Sequence, residues 1–359
     1  MLEDSGSLGG PGEQEMWDIA WSGGRWVAVG LTQGDDALDV GRADAAVWTS
    51  SDGTVWTSVG GGSLSNEVGS QSMMAVAPWG SGYIAVGAAE RTHQDDPAVW
   101  LSEDGDAWVR VEDSTGAFET GTFAQMWDVA VGGPGLVAVG FIGAIDTFDA
   151  GVWTSSDGTT WERVIDEAFA GDANEFMTGI VALEDGRLVA VGNEGRNGEP
   201  LPAVWVSDDG TTWERSSGVA TDQSGAMYDV AEWDGGLIAV GRDGSGGDLD
   251  AAVWVSTDGA AWLRIEDQSL GGTGDQAIAG IASLDTEVIA VGYERMSDRN
   301  AAVWRSTDGV VWSRDSDASL SIDGFQELAS VTASSGTIVA VGYSGEISEW
   351  DAAVWHCAR

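Results

Sequence analysis

The sequence predicts an all-β fold: one seven-bladed β-propeller of four-stranded antiparallel blades, with the last blade incompletely closed. Three repeated motifs predict it. Ser-x-Asp-Gly-x-x-Trp occurs six times, ending at Trp56, Trp108, Trp161, Trp213, Trp262 and Trp312. Ala-Val-Gly closes an apolar run at Gly30, Gly87, Gly140, Gly192, Gly241, Gly292 and Gly342. Ala-Val-Trp or Gly-Val-Trp ends at Trp48, Trp100, Trp153, Trp205, Trp254, Trp304 and Trp355. Self-similarity at a period near fifty residues marks stacked supersecondary units that cannot bury their own faces alone. We expect the units at about 16–60, 73–112, 126–165, 177–216, 227–266, 278–315 and 328–359, within a single domain spanning 1–359.

The fifth unit shows the reasoning element by element. Met227 to Ala231 reads as a short first strand, and Asp234-Gly235-Gly236 as a turn. Leu237 to Gly241 is a nearly all-apolar second strand, followed by a polar loop of about ten residues. Ala252 to Ser256 is the third strand. Asp258-Gly259 is a hairpin turn, since both residue types tolerate positive φ. Ala261 to Ile265 alternates as a fourth strand. Four short antiparallel strands per unit describe a propeller blade, and neighbouring blades cover both of its apolar faces.

The ends of the chain predict how the ring closes. The seventh unit stops just past its third strand, at Trp355 to Arg359. Leu2 to Gly10 parallels Ile265 to Gly272, the tail of a fourth strand without its Trp-x-Arg. We expect a trimmed start or a natural start upstream, and a partly open edge that invites pairing.

Composition narrows the function. The 359 residues carry 59 acidic and 15 basic side chains, a net charge of -44, and every basic residue is arginine. Such a field repels nucleic acid and anionic lipid. An acidic shell suits high salt or an extracellular or cell-surface setting, although no signal peptide is present. Melting temperature should rise between 0.1 and 2 M chloride as carboxylate repulsion is screened, with a sulfate control for specific ion effects. No gain would overturn the acidic-shell expectation. Cys357 is the single cysteine, so no disulfide forms within the chain, and His93 and His356 are too few for a histidine zinc site. No apolar run approaches 18 residues, so no membrane insertion by a helix is expected. We expect a monomer.

Two acidic sets are candidate binding groups. The first strand opens on Met16, Met73, Met126, Met177, Met227, Ile278 and Leu328. Two residues on stand Asp18, Ala75, Asp128, Gly179, Asp229, Gly280 and Ser330. Asp18, Asp128 and Asp229 would converge on the axis, where water or a calcium ion would relieve their repulsion. The second set, Asp44, Asp96, Asp149, Asp250 and Asp351, precedes the third strands and would form an acidic rim for a ligand, with Asn300 in unit six. The loop from Leu31 to Ala45 adds Asp35, Asp36, Asp39 and Arg42 on that face. Arg110, Arg163, Arg215, Arg264 and Arg314 follow the box tryptophans by two residues, which suits cation–π contacts or wall salt bridges.

The Ser-x-Asp-Gly-x-x-Trp box resembles the Asp-box, or bacterial neuraminidase repeat, of sialidase-like propellers. The family pattern is Ser-x-Asp-x-Gly-x-Thr-Trp, so every copy here is one residue short. The resemblance implies that the boxes are turn locks on the face away from any active site. These are Ser50 and Asp52, Ser102 and Asp104, Ser155 and Asp157, Ser207 and Asp209, Ser256 and Asp258, and Ser306 and Asp308. It also raises sialidase chemistry: three arginines holding a carboxylate, a tyrosine–glutamate nucleophile pair and an aspartate acid–base. Arg42, Arg91, Arg196, Arg242, Arg295 and Arg299 lie in the expected working loops, Tyr293 and Tyr343 follow the second strands, and Glu346 follows Tyr343 by three residues. The units are otherwise alike and the net charge opposes an anionic sugar. We therefore expect a non-catalytic binding or structural module for a glycan or protein, with a sialidase-like glycoside hydrolase as the alternative. No catalytic residue or obligatory cofactor is assigned from sequence.

Overall fold

In the computed structural model the chain folds into seven antiparallel sheets, each with its strands in chain order. The structure describes all residues except 1–7, 11, 35–41, 66–68, 92–93, 146, 172, 196–198, 220–223, 245–247, 296–297, 316–319, 321–323, 335, 347–348 and 359. Six sheets have four strands. The seventh, built from Phe325–Ser334, Thr337–Glu346 and Glu349–Ala358, has three. Successive first strands contact one another, and Phe325–Ser334 meets Glu13–Ser22, so the sheets close into a ring around an axis. The fold is thus a seven-bladed propeller whose last blade is incomplete among the described residues. Asp35, Asp36, Asp39, His93 and Arg196 lie outside those residues. No described helix is long and apolar enough to cross a membrane.

The strands differ in length from the sequence expectation. In blade five the first strand runs over Gly225–Trp233 and the second over Gly236–Asp243, while the fourth is only Leu263–Arg264. In blade three the expected polar loop is mostly ladder: Gly135–Ala144 pairs with Thr147–Ser155. Polar residues extend these hairpins because backbone hydrogen bonds, not side-chain burial, hold a ladder together. The outermost strand borders solvent and needs only two or three residues to cap the sheet.

The core is divided into seven buried clusters, one for each junction between consecutive blades. Val27, Val47, Met73 and Trp100 join blades one and two. Leu8, Trp26, Val339 and Val354 join blades seven and one. Six junctions contain a box tryptophan: Trp56, Trp108, Trp161, Trp213, Trp262 or Trp312. The cluster between blades six and seven has none among its described residues.

Every first strand carries a β-bulge at the same place. Pairing slips between Met16 and Asp18, and again at Met73/Ala75, Met177/Gly179, Met227/Asp229, Ile278/Gly280 and Leu328/Ser330; blade three slips opposite Val139/Gly140. The bulge drives a backbone carbonyl into the space where a Cβ would stand on the facing second strand. A Cβ on Gly192 would meet the Phe176 carbonyl oxygen at 1.9 Å, and one on Gly342 the Glu327 carbonyl oxygen at 1.9 Å. This is the physical reason for glycine in Ala-Val-Gly.

The box is a closed local network. In blade three the Ser155 hydroxyl oxygen accepts from Gly158 N at 2.9 Å and Asp157 N at 3.3 Å. Asp157 Oδ1 accepts from Thr159 N and Thr160 N, both at 2.7 Å. Trp161 Nε1 donates to the Gly158 carbonyl at 3.0 Å. The same donors and acceptors recur at Ser50 and Asp52, Ser102 and Asp104, Ser207 and Asp209, Ser256 and Asp258, and Ser306 and Asp308. Gly158 has φ +78° and its Cα faces Trp79 of the preceding blade, so the turn both reverses the chain and docks it. Behind the turns, Arg215 lies 5.2 Å from the Trp205 ring centre and pairs with Glu175 at 2.6 Å and Glu194 at 2.5 Å. Arg110 and Arg314 lie over Trp100 and Trp304 in the same way.

Candidate functional site

The face opposite the box turns is where the blades lose their resemblance to one another. Three positions per blade converge there: the residue before the repeated methionine, the bulged residue after it, and the residue following Ala-Val-Gly. The first and third are cross-strand partners, as in Glu15↔Leu31, Gln125↔Phe141, Ala226↔Arg242, Ala277↔Tyr293 and Glu327↔Tyr343. The bulged residues are Trp17, Met74, Trp127, Thr178, Tyr228, Ala279 and Ala329. Bulges re-aim side chains and occur beside active sites. Here the small alanines of blades six and seven leave the larger neighbours of those blades room at the channel mouth.

Those neighbours form one connected group. The buried Tyr343 hydroxyl donates to Glu327 Oε2 at 2.6 Å. Arg299, at the start of the third strand of blade six, forms a salt bridge with the same carboxylate across the junction between blades. Its Nη1 also lies 3.4 Å from the Tyr343 oxygen, and its guanidinium carbon lies 4.2 Å from the Tyr293 ring centre. Trp350 stacks on Tyr343 with ring centres 4.9 Å apart and planes 25° apart. Burial and the adjacent Glu327 charge push the Tyr343 hydroxyl far up, so it rests protonated. Burial raises Tyr293 and Tyr228 as well, with Arg299 and Arg242 respectively opposing that rise. Among the described residues, the ring nitrogen of Trp350 and the Nε atoms of Arg242 and Arg299 are buried donors without an acceptor. A ligand rich in oxygen acceptors would satisfy them.

Glu15 of blade one completes this side. Its Oε2 accepts from Trp17 Nε1 at 2.8 Å. Burial raises the Glu15 carboxyl, with smaller contributions from Glu13 and Glu327, while the Trp17 bond opposes the rise. Blades three and four supply an aromatic cluster. Trp127 stacks on Phe176 at 5.7 Å and 13°, Phe141 meets Trp127 edge-on at 5.0 Å, and Phe148 packs against Phe141 at 5.0 Å. Trp127 Nε1 donates to Gln125 Oε1 at 2.8 Å, which fixes the indole plane.

The axial aspartates are clamps between blades. Asp18 Oδ2 accepts from Val76 N at 2.7 Å, Asp128 Oδ2 from Ile180 N at 2.7 Å, and Asp229 Oδ2 from Ile281 N at 2.9 Å. Blades one, three and five thus each grip the next blade, whose matching residue is Ala75, Gly179 or Gly280. Seven is odd, so the alternation must fail once, and Ser330 of blade seven donates to Asp18 Oδ1 at 2.7 Å. Burial pushes Asp18 up to about 6 and Asp229 up to about 7. Asp128 is raised well above its ordinary value by burial and then by the charges of Asp229 and Asp18. Among the described residues, no three His, Cys, Asp or Glu side chains are grouped to hold a metal ion.

The remaining sequence candidates lie on other elements. Asp44, Asp96, Asp149, Asp250 and Asp351 fall within the first three residues of the third strands, each paired with a residue of the second strand. Asp250 Oδ1 accepts from Gly272 N at 3.3 Å, and burial raises Asp149. Arg42 donates to the Gly69 carbonyl at 3.4 Å, and exposed Arg295 pairs with Asp275 at 3.8 Å, so neither joins Arg299. Glu346 is exposed; the carboxylate on Tyr343 is Glu327, which adjoins it across the ladder rather than along the chain. Sequence spacing shows Glu346 and not Glu327 beside Tyr343, because cross-strand neighbours are invisible to it. Departure from the repeat at the mouth positions was the available signal.

No protein-family model matches the chain, and no curated protein matches it by sequence. Solved structures do match in shape. A mutant of Trypanosoma rangeli sialidase displaying trans-sialidase activity superposes with TM-score 0.53 at 14% identity, covering 96% of this chain and 54% of that one. Trypanosoma rangeli sialidase itself gives 0.51 at 13%, with coverages of 96% and 54%. A PL25 ulvan lyase, a polysaccharide lyase bound to -[GlcA(1-4)Rha3S]-, gives 0.59 at 10%, covering all of this chain and 96% of that one. The chain therefore spans about half the length of the sialidases it matches. At these identities the kinship is one of fold, a propeller related to those of sialidases.

Proposed function

We propose that the chain is a glycan-acting propeller, a glycoside hydrolase whose site is the Tyr343–Glu327–Arg299 group at the channel mouth. The observation that carries it is the 2.6 Å hydrogen bond from the Tyr343 hydroxyl to Glu327, beside a guanidinium. A tyrosine is a nucleophile only while a base removes its proton, and here the base is in place. Tyr343 attacks the anomeric carbon as its proton passes to Glu327, and Arg299 steadies the charge that grows on the phenolic oxygen. Glu15, raised by burial, donates the proton that the leaving alcohol needs. Water then attacks the same carbon, giving its proton to the Glu15 carboxylate, while Glu327 returns a proton to the departing Tyr343 oxygen, so the sugar leaves with its configuration retained and both carboxyl groups are restored. Tyrosine nucleophiles are one known departure from the two-carboxylate scheme of glycosidases.

The sialidase and polysaccharide lyase likenesses support a carbohydrate ligand, and the shortened box reads as a divergent Asp-box. We place the protein, as one propeller domain, outside the cell or at its surface, where polymeric glycans are met. A second reading, glycan binding without turnover, is favoured by the aromatic cluster around Trp127, since sugar C–H faces stack on such rings.

A panel of methylumbelliferyl glycosides, the sialic acid derivative included, tests the proposal. We expect turnover of at least one, and a fall in kcat/KM of about 1,000-fold or more in Tyr343→Phe with unchanged circular dichroism. Turnover that survives Tyr343→Phe overturns the mechanism. Absence of turnover, with calorimetric glycan binding unaltered by Tyr343→Phe, overturns this site altogether.

A further inference from the structure

We propose, on the reading of this chain as glycan-acting, that Trp127, Phe148 and Phe176 form a platform for one neutral sugar ring of an oligosaccharide whose far end lies at Tyr343. These rings stand outside the apolar core. The buried cluster that joins blades three and four contains Val137, Val139, Val152 and Met177 but none of the three. All three keep part of their surface in solvent. Phe141, only 8% exposed, meets each of them edge-on and holds them in place. With Gln125 also fixing the indole, little ring freedom is left to lose on binding. Exposed apolar surface rimmed by polar groups marks a ligand groove.

The rim decides the kind of sugar. Gln125 Nε2 donates to Asp95 Oδ2 at 2.8 Å, which brings a carboxylate toward the indole. Asn193 is the cross-strand partner of Phe176, so its amide stands on the same face as that ring. Among the described residues no guanidinium lies over any of these rings; the arginines over aromatic rings are Arg110, Arg215, Arg299 and Arg314, each over another residue. Aromatic faces with an amide and a carboxylate suit the C–H bonds and hydroxyls of a neutral pyranose. The same carboxylate and the net charge of -44 disfavour an anionic ring there.

Position decides the length. In a ring of seven, the junction of blades three and four lies diametrically across the axis from blade seven, which carries Tyr343 and Glu327. Neighbouring sheets pack about 10 Å apart, so the ring of sheets is on the order of 20 Å across. A sugar at Tyr343 therefore leaves the platform to a later ring of the same chain, and the substrate is an oligosaccharide rather than a lone terminal sugar.

Calorimetry on Tyr343→Phe, which the proposed mechanism leaves unable to consume its ligand, tests this with cellotetraose, mannotetraose, xylotetraose and tetragalacturonic acid. We expect at least one neutral tetrasaccharide to bind, with its disaccharide and the galacturonate each at least tenfold weaker. Adding Trp127→Ala should weaken that tetrasaccharide at least tenfold, and Trp127→Phe in its place should restore most of the affinity, with melting temperatures showing that both variants are folded. Saturation-transfer NMR with irradiation of aromatic protons should mark the C–H protons on one face of one sugar, and Trp127→Ala should erase that mark. No binding of any neutral tetrasaccharide, equal affinity for the disaccharide, tighter binding of the galacturonate, or indifference to Trp127→Ala overturns the platform. Trp127-dependent binding by a protein whose unmutated form turns over no glycoside supports the platform and tells against the hydrolase reading alone.

Discussion

Gly192→Ala is expected to cost a large part of the protein's stability, because the new Cβ would lie 1.9 Å from the Phe176 carbonyl oxygen and 3.1 Å from Met177 Cα. Both neighbours are backbone, so no side chain can rotate away. Relief requires the bulge to flatten, and that would turn Met177 out of the junction it fills between blades three and four. Burying a methionine is worth about 2–5 kcal/mol on truncation data, and a ladder distortion adds to it. We expect a loss of about 4 kcal/mol or more, or failure to accumulate as folded protein. Gly186→Ala is the control. Gly186 has φ +92° and nothing within 4 Å of the point a Cβ would occupy, so the substitution bears backbone strain alone, about 1 kcal/mol. Urea unfolding of both variants separates steric from conformational demand. Equal costs would mean that the bulge does not explain the repeated glycine.

Stability should also fall as pH rises from 5 to 8. The folded-state pKa values of Asp18 and Asp229, about 6 and about 7, lie above those of the unfolded chain, and Asp128 is raised in the same direction. Their favourable contribution is therefore complete below the unfolded value near 4 and is lost as pH climbs through 6 and 7. The box aspartates act oppositely. Backbone donors at Val55 and Thr54 lower Asp52 to about 2, and those at Thr212 and Thr211 lower Asp209 to about 2. Their contribution is present above pH 4 and disappears as pH falls toward 2. The optimum thus sits near pH 4–5. Each pKa unit is worth about 1.4 kcal/mol. These side chains are only half-buried, which reduces the full shift, so we expect a loss of about 2–4 kcal/mol between pH 5 and 8. Denaturant midpoints in 1 M chloride, where surface repulsion is screened, measure it. Asp229→Asn should flatten the slope by about a third. It should also weaken the protein at pH 5, since an amide offers one acceptor to the two N–H groups of Val230 and Ile281. A pH-independent midpoint would show that the axial carboxylates are fully hydrated.

The blade count, strand order and box turns were legible because each is written six or seven times. Ser155, Asp157 and Trp161 bond within seven residues of chain, so their geometry is local and recurs wherever the motif does. The incomplete seventh sheet was legible for the same reason, as a missing copy. What eluded the sequence is non-local. The reach of Asp18 to Val76 spans two blades, and Glu327 meets Tyr343 through a ladder register that a bulge has shifted. Arg299 joins them from a different blade. The six arginines near the expected loops look alike in sequence, and only packing separates Arg299 from Arg42 and Arg295.

The alternating axial clamps divide the ring into couples: one with two, three with four, five with six. Blade seven is attached to blade one through Ser330 and, among the described residues, to blade six by neither an axial carboxylate nor a box tryptophan. The ring therefore has a seam, and Arg299 and Glu327 are stitched across it at the mouth. Under the proposed mechanism, parting that seam would separate Arg299 from the Glu327 carboxylate it neutralises and leave Glu327 the stronger base toward the Tyr343 hydroxyl. The proposed chemistry thus sits at the one junction that, among the described residues, has neither device.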